Sequence, residues 1–266
     1  MIITGNNNVL LDKLIDQLNR VFRMKDLGSI HYFLGVQVHH HEDGLFLNQE
    51  KYVTDLLITA GMQDCAPMIT LLPLKLDKVP GQDKPFSDPS YFRSLAGKLQ
   101  YLTLTRPDMQ FAVNFICQKM HMPSQSNFAL LKRILRYVKG TLAMGIGINA
   151  NTDSTLICNS DSDWAGCKET RWSTGGLCTL LGSNVISWSA KRHDTVSKPS
   201  TEAEYRTMSA AASEIVWLQN LLRVMGLQQQ RTPLLLCDNL SAVCLAENPM
   251  FHKRTKHFDV DFHYVR

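Results

Sequence analysis

Residues 151–266 follow an order that few folds accommodate: three short β-rich segments, a long helix, a fourth strand and a further helix. Segments 154–159, 176–181 and 185–189 are short, rich in strand-forming residues and bounded by turn residues. A helix is expected over 200–225 and a strand over 234–237. Three successive strands suit an antiparallel meander. The helical crossover suits a fourth strand laid parallel to the first.

That topology would gather three acidic residues. Asp161 lies just beyond the first expected strand, Glu202 in the first turn of the long helix, and Asp238 at the end of the fourth strand. Parallel neighbours would place Asp161 and Asp238 at one end of the sheet, with the helix start presenting Glu202 to the same spot. Three carboxylates without a cation repel one another, so such a cluster calls for a divalent metal, and hard oxygen ligands suit Mg2+ or Mn2+. Two such ions about 4 Å apart can activate water and stabilise the leaving oxygen in phosphodiester hydrolysis. Each acid also has a simpler reading, as a turn or helix-start residue, with Asp238–Asn239 serving as a helix cap. Spacing leaves both readings open.

Upstream, residues 1–66 read as mixed α and β. Leu14, Ile15, Leu18, Val21 and Phe22 have helical spacing, a hairpin is expected around Gly44, and a second helix is expected over 52–60. Pro67, Pro73, Pro80, Pro85 and Pro89, with Gly81 and Asp83, mark residues 67–90 as an extended connector. Residues 91–150 form a helical region, in which Phe92, Leu95, Leu99 and Leu102 make one stripe and Pro107 opens a further helix. Its last helix, 127–140, sets an apolar face of Leu131, Ile134, Leu135 and Val138 against a basic face of Lys132, Arg133, Arg136 and Lys139. That face could follow a phosphate backbone or simply meet solvent. Lys191 and Arg192 carry a weaker version of the same alternative.

Hydrophobic residues at 44% and charged residues at 20% fit a folded globular chain. No apolar run reaches the roughly 18 residues of a membrane-spanning helix, and the N-terminus lacks a secretory pattern. Seven cysteines without a Cys-x-x-Cys pair favour reduced thiols, hence a cytoplasmic or nuclear, not secreted, chain. A net charge of +4 permits a nucleic-acid partner without demanding one. His39, His40 and His41 would alternate across a strand and so form a polar strand end, not a metal site. Core packing is expected for most of Trp164, Trp172, Trp188 and Trp217. Cys237 is expected on the face opposite Asp238, buried.

Several motifs resemble copia-type retrotransposon Pol polyproteins. Ser160-Asp161-Ser162-Asp163-Trp164-Ala165-Gly166, Ser200-Thr201-Glu202-Ala203-Glu204-Tyr205 and Cys237-Asp238-Asn239-Leu240-Ser241-Ala242 are similar to the three acidic motifs of the family's ribonuclease H domain. Asn248-Pro249 and Arg254-Thr255-Lys256-His257 onward resemble the segment that follows. Phe33-Leu34-Gly35, Thr105-Arg106-Pro107-Asp108 and Arg133-Ile134-Leu135-Arg136-Tyr137 resemble the end of the family's reverse transcriptase.

The resemblance implies a partial polymerase palm at 1–66, the connector at 67–90, a helical thumb or connection region at 91–150, and a ribonuclease H-like mixed-sheet domain at 151–266. It implies Asp161, Glu202 and Asp238 as metal-binding catalytic carboxylates, with Asp163 and Glu204 as non-catalytic neighbours. Lys132, Arg133, Arg136, Lys139 and Asn239 become candidate contacts to an RNA–DNA hybrid. The polymerase motif would lie upstream of Met1, and a last strand and helix with a fourth acid beyond Arg266; Asp259 and Asp261 do not match that acid. The expected activity is therefore an impaired metal-dependent cleavage of RNA in hybrids, with the rest of the polyprotein as a partner. A non-catalytic nucleic-acid-binding fragment and an inert remnant of a decayed element are the alternatives.

Overall fold

The computed structural model describes residues 1–22, 24–74, 84–150, 153–167, 170–227, 229 and 231–247. Pro80, Gly81 and Asp83 of the connector, the motifs at Asn248-Pro249 and 254–266, and Asp259 and Asp261 lie outside the described residues. The described residues form a mixed α/β architecture of two four-stranded sheets and seven α-helices.

The first sheet begins with β1 (Tyr32–Phe33), β2 (Val36–His41) and β3 (Gly44–Asn48), an antiparallel meander. The β2–β3 turn needs Gly44, whose φ is +151° and where a Cβ would stand 2.0 Å from the Ile148 carbonyl oxygen. That carbonyl belongs to β4 (Gly145–Asn149), which pairs antiparallel with β3. Residues 145–149, expected within the helical region, are instead this strand. Two glycines in five residues leave little strand signal, and the partner strand is about a hundred residues away. His39, His40 and His41 are exposed at the end of β2, as a polar strand end.

Preceding this sheet, α1 (Asn8–Phe22) has the expected apolar spacing but buries no residue. By contrast, α2 (Glu50–Thr59), α3 (Pro89–Leu102), α4 (Gln110–Cys117) and α5 (Gln125–Gly140) enclose one core. Val53 and Leu56 of α2 meet Phe92, Leu95 and Leu99 of α3 and Leu131, Ile134, Leu135 and Val138 of α5 within it, each at most 1% exposed. Every such side chain contributes about 2 kcal/mol by burial. Residues 1–66 and 91–150 therefore share a sheet and a core. The helix starts are locally encoded: Asp88 accepts the Tyr91 amide with Pro89 in the first turn, and Ser124 and Asn127 form a reciprocal capping box.

The motif residues 105–108 are structural. Arg106, 1% exposed, makes a two-pronged bond to Asp108 at 2.9 and 2.7 Å and donates to the Thr141 carbonyl at 3.0 Å. Tyr137 of α5 donates to the same carboxylate at 2.9 Å. Burial alone would raise the Asp108 pKa, but the Arg106 guanidinium and the Tyr137 hydroxyl hold it below the ordinary carboxylate value.

The second sheet is the one foreseen from strand order. β5 (Leu156–Asp163), β6 (Thr174–Leu181) and β7 (Asn184–Arg192) form the meander. The chain then crosses through α6 (Ser200–Val224) to β8 (Leu234–Cys237), parallel to β5 from Ile157↔Leu234 to Ser160↔Cys237, and ends its described part in α7 (Leu240–Glu247). Sheet order is β7-β6-β5-β8. Leu156 and Cys158 face α6, against Leu218 and Leu222 and against Ala211 and Ile215 respectively.

Hydrogen bonds join the two halves. Trp188 donates its indole N–H to the Thr103 carbonyl at 2.9 Å, and Asn114 donates to the Ala190 carbonyl at 2.7 Å. Asn184 accepts from the Asn149 amide and donates to its carbonyl, at 2.8 and 2.9 Å. The tryptophans are less buried than expected. Trp164 and Trp217 are exposed, and Trp172 and Trp188 are half-buried, with Trp172 stacked on the Arg192 guanidinium 4.2 Å from its centroid.

Candidate metal centre

The parallel pairing of β5 with β8 ends at Ser160↔Cys237, so the last residues of β5 run past their neighbour. Asp161 stands on that overhang, inside the strand and not beyond it as the sequence suggested, with its side chain exposed. Asp238 follows the last residue of β8 and is also exposed. The start of α6 covers this end of the sheet, and the carboxylate it delivers there is Glu204.

Glu204 is 7% exposed and accepts the Ser162 backbone N–H from the β5 overhang. Its carboxylate, the Asp238 carboxylate and the Cys237 thiol offer ligand atoms that all lie within 4.8 Å of one another. Burial, then the charges of Asp161 and Asp238, push the Glu204 pKa up to about 7. Oε2 of Glu204 is buried without a hydrogen-bond partner. Asp163, the other acid on the overhang, is raised by burial and by Asp161.

Glu202 goes elsewhere. Successive helical residues are about 100° apart, so positions two apart diverge by about 200° around the axis. Glu202 is 2% exposed, pairs with Arg206 at 2.8 Å and accepts the Lys198 amide at 3.2 Å. The structure thus brings Glu204 and Asp238 together, with Asp161 within electrostatic reach of Glu204, and turns Glu202 into an ion pair at the helix start. A sequence signal for this existed. Met208, Ala211, Ile215, Leu218 and Leu222 form the sheet-facing stripe at alternating steps of three and four, and one step of four backward from Met208 is Glu204.

Cys237 corrects a second expectation. It is half-buried, not hidden, and lies with Asp238 instead of opposite it. Cys237 shares the α6-facing side of β8 with Leu235, packing near Tyr205 and Met208, whereas Asp238 has already left the strand and is free of its alternation.

A divalent cation suits these residues. Two carboxylates on one sheet end, a buried third with an orphaned oxygen, and no described basic side chain paired with Glu204 make a site that a hard cation would stabilise.

The candidate nucleic-acid residues divide. On α5, Arg133 bonds the Thr70 hydroxyl and Arg136 donates to the Ala66 carbonyl at 2.7 Å, strapping residues 66–70 to the helix. Lys132 is exposed, its ammonium 5.2 Å from the Phe128 ring centroid, and Lys139 is half-buried. Asn239 caps α7, its side chain accepting the Ala242 amide at 3.0 Å.

Residues 1–74 match the family described as reverse transcriptase (RNA-dependent DNA polymerase). An uncharacterized mitochondrial protein of Arabidopsis thaliana is 55% identical over 217 residues, covering 82% of this chain and 90% of that protein. The retrovirus-related Pol polyprotein from the Arabidopsis thaliana transposon RE1 is 41% identical across 100% of this chain. That from the Nicotiana tabacum transposon TNT 1-94 is 33% identical, again across 100% of this chain. The chain spans only 18% and 21% of the length of these two polyproteins.

Proposed function

Since the chain belongs to the copia-type retrotransposon Pol family and carries a reverse-transcriptase segment at its start, we propose that residues 151–247 hold a nuclease centre that cleaves RNA in RNA–DNA hybrids. Asp161, Glu204 and Asp238 are its carboxylates, with Glu204 in the role first expected of Glu202. The observation that carries this reading is the buried, unsatisfied oxygen of Glu204 beside Asp238. Folding keeps such an arrangement only at a cost of about 1–3 kcal/mol for the unpaired group, unless something binds there.

Mg2+ or Mn2+ is the cation proposed. Bound by these carboxylates, it would supply an activated water and a counter-charge for the departing oxygen. The chain's own part is positioning. Ser162 fixes Glu204 through its backbone N–H, and the β5 overhang holds Asp161 within electrostatic reach of Glu204. The sheet end carrying Asp161 and Asp238 is open to a large substrate, since both are exposed. Lys132 is the basic residue of α5 best placed for a phosphate backbone, because Arg133 and Arg136 already hold residues 66–70. The rest of the polyprotein is the proposed macromolecular partner, in keeping with how small a share of its relatives the chain spans.

The test is cleavage of a labelled RNA–DNA hybrid by the purified chain in Mn2+, beside Asp161→Asn and Asp238→Asn. Cleavage lost by about 100-fold or more in both variants is expected for removal of a metal ligand. A folded chain that binds hybrid without cutting it would replace this reading with a non-catalytic binding fragment.

A further inference from the structure

The third ligand atom of the centre is sulfur, and carboxylate nuclease chemistry does not require it. We propose that the same site takes a thiophilic divalent cation, Zn2+ or Cd2+, through Cys237 Sγ together with Glu204 and Asp238, and that such an ion excludes the hard cation. This rests on the carboxylate centre described under the proposed function but not on its catalytic activity.

Three observations carry it. The Cys237, Glu204 and Asp238 ligand atoms lie within 4.8 Å of one another. Ligands bonded at about 2.0–2.3 Å to one tetrahedral ion stand about 3.3–3.8 Å apart, so side-chain movements of up to about 1 Å close this triad on a single ion. Independently of the thiol, Glu204 is 7% exposed, contributes a carboxylate oxygen to the triad and keeps its buried Oε2 without a partner. Finally, Cys237 is in no disulfide and its neighbours do not enclose it: it is half-buried beside an exposed Asp238, which leaves an open position for the solvent ligand of a four-coordinate ion.

Softness decides the selectivity. A thiolate favours Zn2+ and Cd2+ over Mg2+ and Mn2+, which prefer oxygen donors and more ligands. Binding forms the S–metal bond and releases the thiol proton to solvent; no electron is transferred. The ion would then occupy two of the carboxylates the nuclease needs. Trace Zn2+ becomes an inhibitor whose effect depends on one sulfur atom.

The experiment is a Cd2+ titration of the full chain under reducing conditions, without nucleic acid, following the ultraviolet thiolate-to-cadmium charge-transfer band. Cys237→Ser and Cys237→Ala are measured beside it, with circular dichroism to confirm their folding. The band should appear in the wild type and vanish in both variants, with Cd2+ binding weakened by at least about tenfold. Asp238→Asn should weaken Cd2+ binding yet keep the band at saturation. A band that survives in a folded Cys237 variant, or Cd2+ binding without a band, overturns the proposal. A parallel Mn2+ titration of the wild type separates this idea from the nuclease reading. Cys237-dependent Cd2+ binding without Mn2+ binding would sink the nuclease and leave the thiophilic site. Mn2+ binding with a Cys237-independent band would do the reverse.

Discussion

Thr201-Glu202-Ala203-Glu204-Tyr205 offers two acids, two residues apart, and only helical phase tells them apart. Both are buried, so burial does not choose between them. What chooses is the face. Glu204 continues the stripe that packs on the sheet, while Glu202 turns toward Arg206. Resemblance of motifs located the pair and gave the metal role to Glu202, whereas helical phase favours Glu204. At the same scale, Asp108 predicts acid sensitivity. Its folded pKa lies below the ordinary value of 3.8, so its contribution is fully present above that value and fades as pH falls through the folded one. The stability gap between wild type and Asp108→Asn, read from urea midpoints, should therefore shrink below pH 3.8. A gap that stays constant down to pH 2 would show that the Arg106 pair does not set it. Arg106→Met should cost about 3–5 kcal/mol, because it strands a half-buried carboxylate and two Thr141 acceptors.

Among the elements, those with strong periodicity or a cap were legible. The helices around Leu95 and Leu135, the meander and the parallel crossover all follow from spacing and strand order. β4 was not, because a glycine-rich strand earns its place from a distant partner and not from its own residues. The basic face of α5 was legible as charge but not as use. Half of it ties down residues 66–70, through the Thr70 hydroxyl and the Ala66 carbonyl, which no charge pattern encodes. Lys132→Ala should thus lower the salt slope of hybrid binding by about 1. Arg136→Ala should instead destabilise the fold by about 1 kcal/mol, leaving the slope unchanged. Equal loss of slope in both would return the whole face to nucleic acid. In the core, Leu135→Ala should cost about 2–5 kcal/mol by denaturant unfolding.

For the whole molecule, the sequence suggested a boundary near residue 150, where the pattern turns from helices to strands. The structure bridges that boundary with Trp188–Thr103, Asn114–Ala190 and the reciprocal Asn149–Asn184 pair. Hydrogen bonds of this kind are worth about 1 kcal/mol each. Calorimetry on the wild type should give one unfolding transition, and Trp188→Phe combined with Asn184→Ala should split it into two. A single transition in the double variant would place the coupling elsewhere. No helix among the described residues is long and apolar enough to cross a membrane.

Glu204, not Glu202, is the carboxylate proposed to face Asp161 and Asp238. The decisive experiment compares Glu204→Gln with Glu202→Gln in hybrid cleavage with Mn2+, after circular dichroism has shown both folded. Glu204→Gln should lose about 100-fold or more in rate. Glu202→Gln should keep its rate within about tenfold while losing stability, since it breaks the buried pair with Arg206. The opposite pattern, with Glu202→Gln inactive and Glu204→Gln cutting normally, would contradict that assignment.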